Sequence, residues 1–116
     1  MARTMTLKLT TPFSEKFAPR VNYGGRPFWC AIEYRAEPSP ATLEVRLAPK
    51  SDNPTRRWFP HVRDTILELA TQEAEPVEFT LEVLRIHEHP IDTDARACRA
   101  FATMLFRTLL ERCERT

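Results

Sequence analysis

Apolar and polar residues alternate in four places along the chain. Met5, Leu7 and Leu9 alternate with Thr4, Thr6, Lys8 and Thr10, and Phe28, Cys30, Ile32 and Tyr34 with Ala31, Glu33 and Arg35. Leu43, Val45 and Leu47 alternate with Glu44 and Arg46, and Val77, Phe79, Leu81 and Val83 with Glu78, Thr80 and Glu82. A period of two marks a strand with one buried face. Beyond Val83 the apolar positions move to Leu84 and Ile86, which predicts a bulge or the edge of the sheet.

Four strands with one oily face each need a cover, and two stretches of helical period supply it. Pro60 suits a first helical turn, followed at helical spacing by Val62, Ile66, Leu69 and Ala70. A longer helix carries Cys98, Phe101, Ala102, Leu105 and Leu109, widened by Phe106 and Leu110, with Asp92 or Thr93 as its cap. Proline-rich connections at 38–40 and 49–54 mark loops. The predicted fold is α+β: a two-layer sandwich over 1–116, a single domain, with a four-stranded sheet, two helices on one face and the order β-β-β-α-β-α. The expected core holds Leu7, Leu9, Ile32, Tyr34, Val45, Leu47, Val62, Ile66, Phe79, Leu81, Phe101 and Leu105.

Composition narrows the function classes. A chain of 116 residues with 42% hydrophobic residues can bury a core without disulfides or a structural metal. Net charge is +1, so an RNA contact has to come from a local patch. Cys30, Cys98 and Cys113 are odd in number with no C-x-x-C spacing, and read as reduced thiols. The opening MARTMTLKLT lacks the apolar run of a secretory leader, and no later run approaches membrane-spanning length. The expectation is a cytoplasmic protein that does not enter a membrane.

Glycine is the unusual residue. The chain has two, Gly24 and Gly25, side by side and followed by Arg26, where ordinary usage would give about eight. The spacing allows two readings: a tight turn needing permissive residues, or an exposed loop that approaches a partner with Arg26 at its tip. With both glycines adjacent, the sequence contains no G-x-x-x-x-G-K-[ST] phosphate loop, so no nucleotide is expected and GTP hydrolysis by that route is excluded.

Other residues invite chemistry. Arg56, Arg57, His61 and Arg63 cluster in what reads as the loop and first turn of the first helix, either as solvated surface or as a face that grips phosphates through guanidinium groups. His87 and His89, with Asp92 and Asp94 behind them, have the residue types of a metal site. A strand end, a proline and a helix cap account for the same residues, and no metal or other cofactor is expected. Cys30 and Cys98 fall on buried faces without a histidine base, so no catalytic residue is assigned and the protein is read as not an enzyme.

Over most of its length the chain resembles domain four of elongation factor G. That family carries a segment of the form G-G-R-G-Q-Y-G-H-V-x-I-E-x-E-P, and Gly24, Gly25, Arg26, Glu37 and Pro38 recur here at the same spacing. Its Y-I-P-A-V helix start is similar to Trp58, Phe59, Pro60, His61 and Val62. Its H-D-V-D-S-S-E-M-A-F-K-I-A segment is similar to the run from His89 to Phe101, with His89, Asp92 and Ala97 identical and Ile91, Thr93 and Arg99 conservative. The resemblance implies a left-handed βαβ crossover and two loops meeting at one end, a tip that in the family reaches ribosomal RNA. The implied tip residues are Gly24, Gly25, Arg26, His89, Asp92 and Thr93. Departures are clear: Pro27, Phe28, Trp29 and Cys30 replace G-Q-Y-G, Ala95 replaces a glutamate, and Asp94 replaces a serine. The expected partner is the ribosome or a structured RNA. The alternative is a protein-interaction domain that keeps the fold without RNA binding, self-associating as a homodimer through the second helix.

Overall fold

β7 (Val77–His87) is the longest strand and organises the sheet. β5 (Ala31–Pro38) pairs antiparallel with it, and β2 (Phe13–Phe17) pairs antiparallel with β5. Two further strands run parallel to β7: β6 (Glu44–Leu47) opposite Thr80 to Val83, and β1 (Leu7–Leu9) opposite Val77 and Glu78. β8 (Cys113–Arg115) pairs antiparallel with β1. The structure, a computed structural model, describes residues 5–19, 21–23 and 26–116, with the backbone alone at 21–23 and 26–28.

Three strands cannot each have an edge of β7 to themselves. The Pro76 carbonyl accepts from Leu7 N–H at 2.8 Å, whereas the Val77 carbonyl accepts from Leu43 N–H at 2.8 Å. Successive carbonyls of an extended chain point to opposite sides, so β1 and β6 flank β7 on opposite edges, and β1 follows β5 end to end along one of them. Arg112, next to β8, reaches Glu15 on β2 at 3.2 Å, as that arrangement requires. Among the described residues the sheet therefore has six strands rather than the expected four, but they stand in four columns: β6, β7, β5 with β1, and β2 with β8. A separate two-stranded ladder joins β3 (Val21–Tyr23) to β4 (Arg26–Phe28), with Tyr23 opposite Arg26.

One face of the main sheet is oily and the other charged. Ile32, Tyr34, Ala36, Val77, Phe79, Leu81 and Val83 are buried on the inner face. Between them Lys8 meets Glu78 at 3.8 Å and Arg35 meets Glu82 at 3.9 Å on the outer face. Such exposed pairs contribute at most about 1 kcal/mol each; they mark this face as solvated. The helices α1 (Asn53–Thr71) and α2 (Ala95–Glu111) share a single core with the inner face, through Phe59, Val62 and Ile66 and through Phe101, Leu105 and Leu109. The α+β class and the one-sided helices agree with the sequence reading. The bulge falls at Leu84: Glu33 pairs with Arg85 and Tyr34 with Val83, which lets Ile86 return to the core.

Several expectations need correction. The element order is six strands, helix, strand, helix, strand. Phe28 to Arg35 is not one strand, because Trp29 and Cys30 interrupt it and β5 starts at Ala31. Helix α1 begins seven residues before Pro60: the Asp52 carboxylate accepts from Thr55 N–H at 2.9 Å and Pro54 occupies the first turn. Pro60 lies inside the helix on its exposed side, where water can reach the carbonyl that loses its partner. Helix α2 is capped by Asp94, whose carboxylate accepts from Ala97 N–H at 2.7 Å, and not by Asp92 or Thr93. Of the expected core Leu47 is half-buried and the other positions are buried; Met5, on the same alternation as Leu7 and Leu9, is 37% exposed.

β2 closes the open side of the core. Phe13, Glu15 and Phe17 point to the same side and pair with Ala36, Tyr34 and Ile32. Phe13 meets the Tyr34 ring edge-on at 5.8 Å, and Phe17 meets Phe101 edge-on at 6.5 Å. The Tyr34 hydroxyl donates to Glu15 at 3.2 Å, and Arg112 lies 4.1 Å above the Phe13 ring. Burial, then the Glu15 carboxylate, push the Tyr34 hydroxyl above its ordinary pKa.

Phe101→Ala should cost about 3–5 kcal/mol in urea unfolding, since the ring is fully enclosed; a surface position would lose less than about 0.5 kcal/mol. The Asp52 cap should show itself in pH dependence. Hydrogen bonds from the Thr55 hydroxyl and then its N–H hold the Asp52 carboxyl below its ordinary value of 3.8. Its contribution is full above that value and is lost as pH falls through the native pKa. Asp52→Asn, which still caps, should therefore give a flatter stability profile below about pH 4, read from urea melts across that range.

Candidate functional site

The end of the sheet where β7 finishes collects most of the singled-out residues. β4 reaches Trp29, and there the chain leaves the β3–β4 ladder for β5. Both main-chain groups of Trp29 are taken by the turn that precedes α2. Its N–H donates to the Asp92 carbonyl at 3.3 Å, and its carbonyl accepts from the Thr93 hydroxyl at 2.6 Å. That hydroxyl also accepts from His89 N–H at 2.7 Å, and Thr93 N–H donates to the His89 carbonyl at 3.1 Å. Thr93 is a buried polar residue whose oxygen joins the root of the hairpin to the 89–93 turn. With its hydroxyl so engaged, Asp94 is left to cap the helix.

His89 shapes the same turn. Its Nδ1 accepts from the N–H groups of Ile91 and Asp92, both at 3.2 Å. Two donors at one ring nitrogen require a lone pair there, so the proton of the neutral ring belongs on Nε2. Protonating Nδ1 would exchange both bonds for an ion pair with the Asp92 carboxylate, 3.4 Å away. Ile91, at the crest of the turn, is 82% exposed. His87 sits on the strand below, hydrogen-bonded to Glu33, with its ring 6.4 Å from that of Trp29. His87 and His89 thus take different partners. Among the described residues no group of three or more His, Cys, Asp or Glu side chains is placed to hold a metal ion.

The basic residues stand on α1, not in a loop before it, and the first turns of that helix reach the same end. Thr55 in the first turn accepts from Ile86 N–H at 2.9 Å, and Asp52 meets Arg85 at 3.4 Å. Glu88, one residue before His89, accepts from the Trp58 indole N–H at 2.6 Å and pairs with Arg57 at 3.4 Å. Arg63 pairs with Asp64 at 2.8 Å and lies 5.6 Å above the Phe59 ring. The His61 ring is 6.0 Å from Trp58. Arg56 is exposed and makes no ion pair among the described residues. Two of the three arginines of this cluster, Arg57 and Arg63, are therefore already opposed. Gly24 and Gly25 lie outside the described residues, and for Arg26 only the backbone, paired to Tyr23, is described.

Sequence reasoning missed three features here. The Trp58–Glu88 contact and the Thr93 bridge join residues about thirty and sixty-four positions apart and leave no local pattern. The third is a sulfur pair: Cys30 Sγ and Cys98 Sγ are 2.9 Å apart, both fully buried. Among the described residues no helix is long and apolar enough to cross a membrane.

No protein-family model matches the chain, and none of the curated proteins does. Among solved structures, the chain is similar to a crystal structure of a protein from Thermus thermophilus, with a TM-score of 0.69 and 16% identity over 96% of this chain. The match spans 17% of that protein's length. At this identity the likeness shows a shared fold.

Thr93→Val keeps the shape of the side chain and removes its oxygen. It should destabilise the protein by about 1–3 kcal/mol, because it strips the Thr93 hydroxyl partner from both His89 N–H and the Trp29 carbonyl. Thr93→Ser retains the hydroxyl and should cost less. Urea unfolding of both variants checks the difference.

Proposed function

We propose that this chain is a non-catalytic, RNA-contacting module of the elongation factor G domain four kind, addressed to the ribosome or another structured RNA. The contact surface would comprise Gly24, Gly25 and Arg26, the turn with His89, Asp92 and Thr93, and the arginines 56, 57 and 63 with His61. The observation that carries the reading is the main-chain link from Trp29 to Asp92 and Thr93. The two segments whose sequences resemble the family's tip loops are rooted in each other. The parallel β6–α1–β7 unit supports the architecture, and the reading includes the left-handed sense of that crossover. Arginine guanidinium groups would supply phosphate contacts, and a Gly-Gly turn would let the backbone come close.

A second reading has its own observation. A cleft of about 360 Å³ between the two helices is lined by Leu69, Phe106 and Leu110 together with Gln72, Glu73 and Arg107. A domain that associates with protein through α2, including with a second copy, would use this surface.

Ribosome co-sedimentation at low and moderate salt, with the solution mass measured alongside, separates the two. Phosphate contacts weaken with salt; apolar association does not. Arg26→Ala should weaken binding and lower the salt slope by roughly 0.7–0.9, one phosphate contact's worth. A folded Arg26→Ala protein with unchanged affinity and slope would remove the tip from the proposal. Absence of ribosome binding at low salt, with a dimeric mass, would favour the helix surface.

A further inference from the structure

Cys30 and Cys98 are 68 positions apart in the sequence and touch in the fold. Cys30 follows Trp29 at the root of the hairpin, just before β5. Cys98 lies on the first turn of α2, where its N–H donates to the Asp94 carbonyl at 3.0 Å. Neither is exposed to solvent, and their sulfurs lie 2.9 Å apart. Non-bonded sulfurs normally keep a wider separation; a disulfide bond is about 2.0 Å long. Aliphatic side chains would fill the same space, so the packing alone does not call for two thiols.

We propose that Cys30 and Cys98 are a redox pair that closes to an intramolecular disulfide, fastening the root of the β3–β4 hairpin to the first turn of α2. The oxidant is a hydroperoxide. One thiol gives up its proton, and the thiolate attacks the peroxide oxygen; the O–O bond breaks, leaving a sulfenic acid and an alcohol or water. The second sulfur then attacks the sulfenyl sulfur, forming the S–S bond and releasing water. Two thiols lose two electrons and two protons, and the peroxide is reduced. A thiol–disulfide exchange with a small dithiol reverses the step.

The setting makes this a gated reaction. The hydrogen bond to Cys98 and burial hold Cys30 well above an ordinary thiol, so the closed protein presents little thiolate. Reaction needs the peroxide to enter; Trp29, next to Cys30, is tied by two hydrogen bonds to Asp92 and Thr93, just before the helix that carries Cys98. Cys113, half-buried on β8, is the third thiol and sits apart from the pair; burial raises it to about 11. The inference stands independently of RNA binding, since its readout is thiol chemistry.

The test uses the full chain in a Cys113→Ala background, treated with hydrogen peroxide at about pH 8.5 to raise the thiolate fraction. Both remaining thiols should be lost together, peptide mapping should join Cys30 to Cys98 within one chain, and dithiothreitol should restore them. Amide exchange at Trp29 and Thr93 should slow by roughly tenfold or more in the oxidised form. Thr93→Val, which removes the bond from Thr93 to Trp29, should speed the loss of thiols. Retention of both thiols in the folded protein would overturn the proposal, as would cross-linking between chains or unchanged amide exchange after oxidation. The same holds if the single variant Cys98→Ser lost its Cys30 thiol as fast as the pair.

Discussion

An eleven-residue strand buried along one face needs partners for its main-chain groups on both edges, and every large feature of this molecule answers that need. An unpaired buried N–H or C=O costs as much as a lost hydrogen bond, and β7 runs from Val77 to His87 with no gap. One edge takes β6 and the other takes β5 and β1 in relay. Because β5 and β1 share a column, their outer neighbours β2 and β8 do as well, and the Glu15–Arg112 contact bridges the joint between them. The helices then have one continuous apolar surface to cover. The core reaches from Leu7 to Leu109 without a break.

The same strand explains why the candidate site lies where it does. β7 delivers the chain to Glu88 at the end of the sheet where α1 begins and where β5 starts. Trp29, Trp58 and Thr93 come from three different segments, and each makes a hydrogen bond to another segment at that end. What gathers them is the register of two antiparallel strands, with Ala31 opposite His87. A one-residue slip in that register would turn the inner face outward. The charged outer face, with Lys8–Glu78 and Arg35–Glu82, penalises such a slip.

Much of this was readable from the chain alone. Alternation in Val77 to Val83 and the helical stripes of Val62, Ile66, Phe101 and Leu105 are strong signals because a half-buried strand and an amphipathic helix each impose one period. The parity change at Leu84 allowed a bulge or the edge of the sheet, and the pairing with β5 decides for the bulge. β2 was hidden because Glu15 occupies an inward position between Phe13 and Phe17, where a sequence pattern expects an apolar residue; its carboxylate is used by Tyr34 and Arg112. β8 is too short for any period. At β3 and β4 a Gly-Gly pair between short runs carries a hairpin signal, but Pro27 argues against a strand. The caps misled where candidates stood in a row: Asp92, Thr93 and Asp94 are all good cap residues, and only the tertiary bond from Thr93 to Trp29 decides among them. Likewise Pro60 fits a helix start as well as Pro54 does, until Asp52 and Thr55 are seen together. The residues of the candidate site were nameable one by one; the contacts that join them cross too much sequence to leave a local trace.

The pairing of β1 with β8 has a mechanical consequence. Thr6 and Thr116 exchange two main-chain hydrogen bonds, each 3.0 Å long, so the two residues sit side by side at one end of the antiparallel β1–β8 ladder. A pull applied between those two points acts across the ladder and not along it. Its bonds are loaded one after another, as in a zipper. The same pull directed along β5 and β7 would have to shear a whole row of bonds at once. This domain is compliant toward tension between β1 and β8 and stiff along its central pair, where the candidate contact surface is anchored.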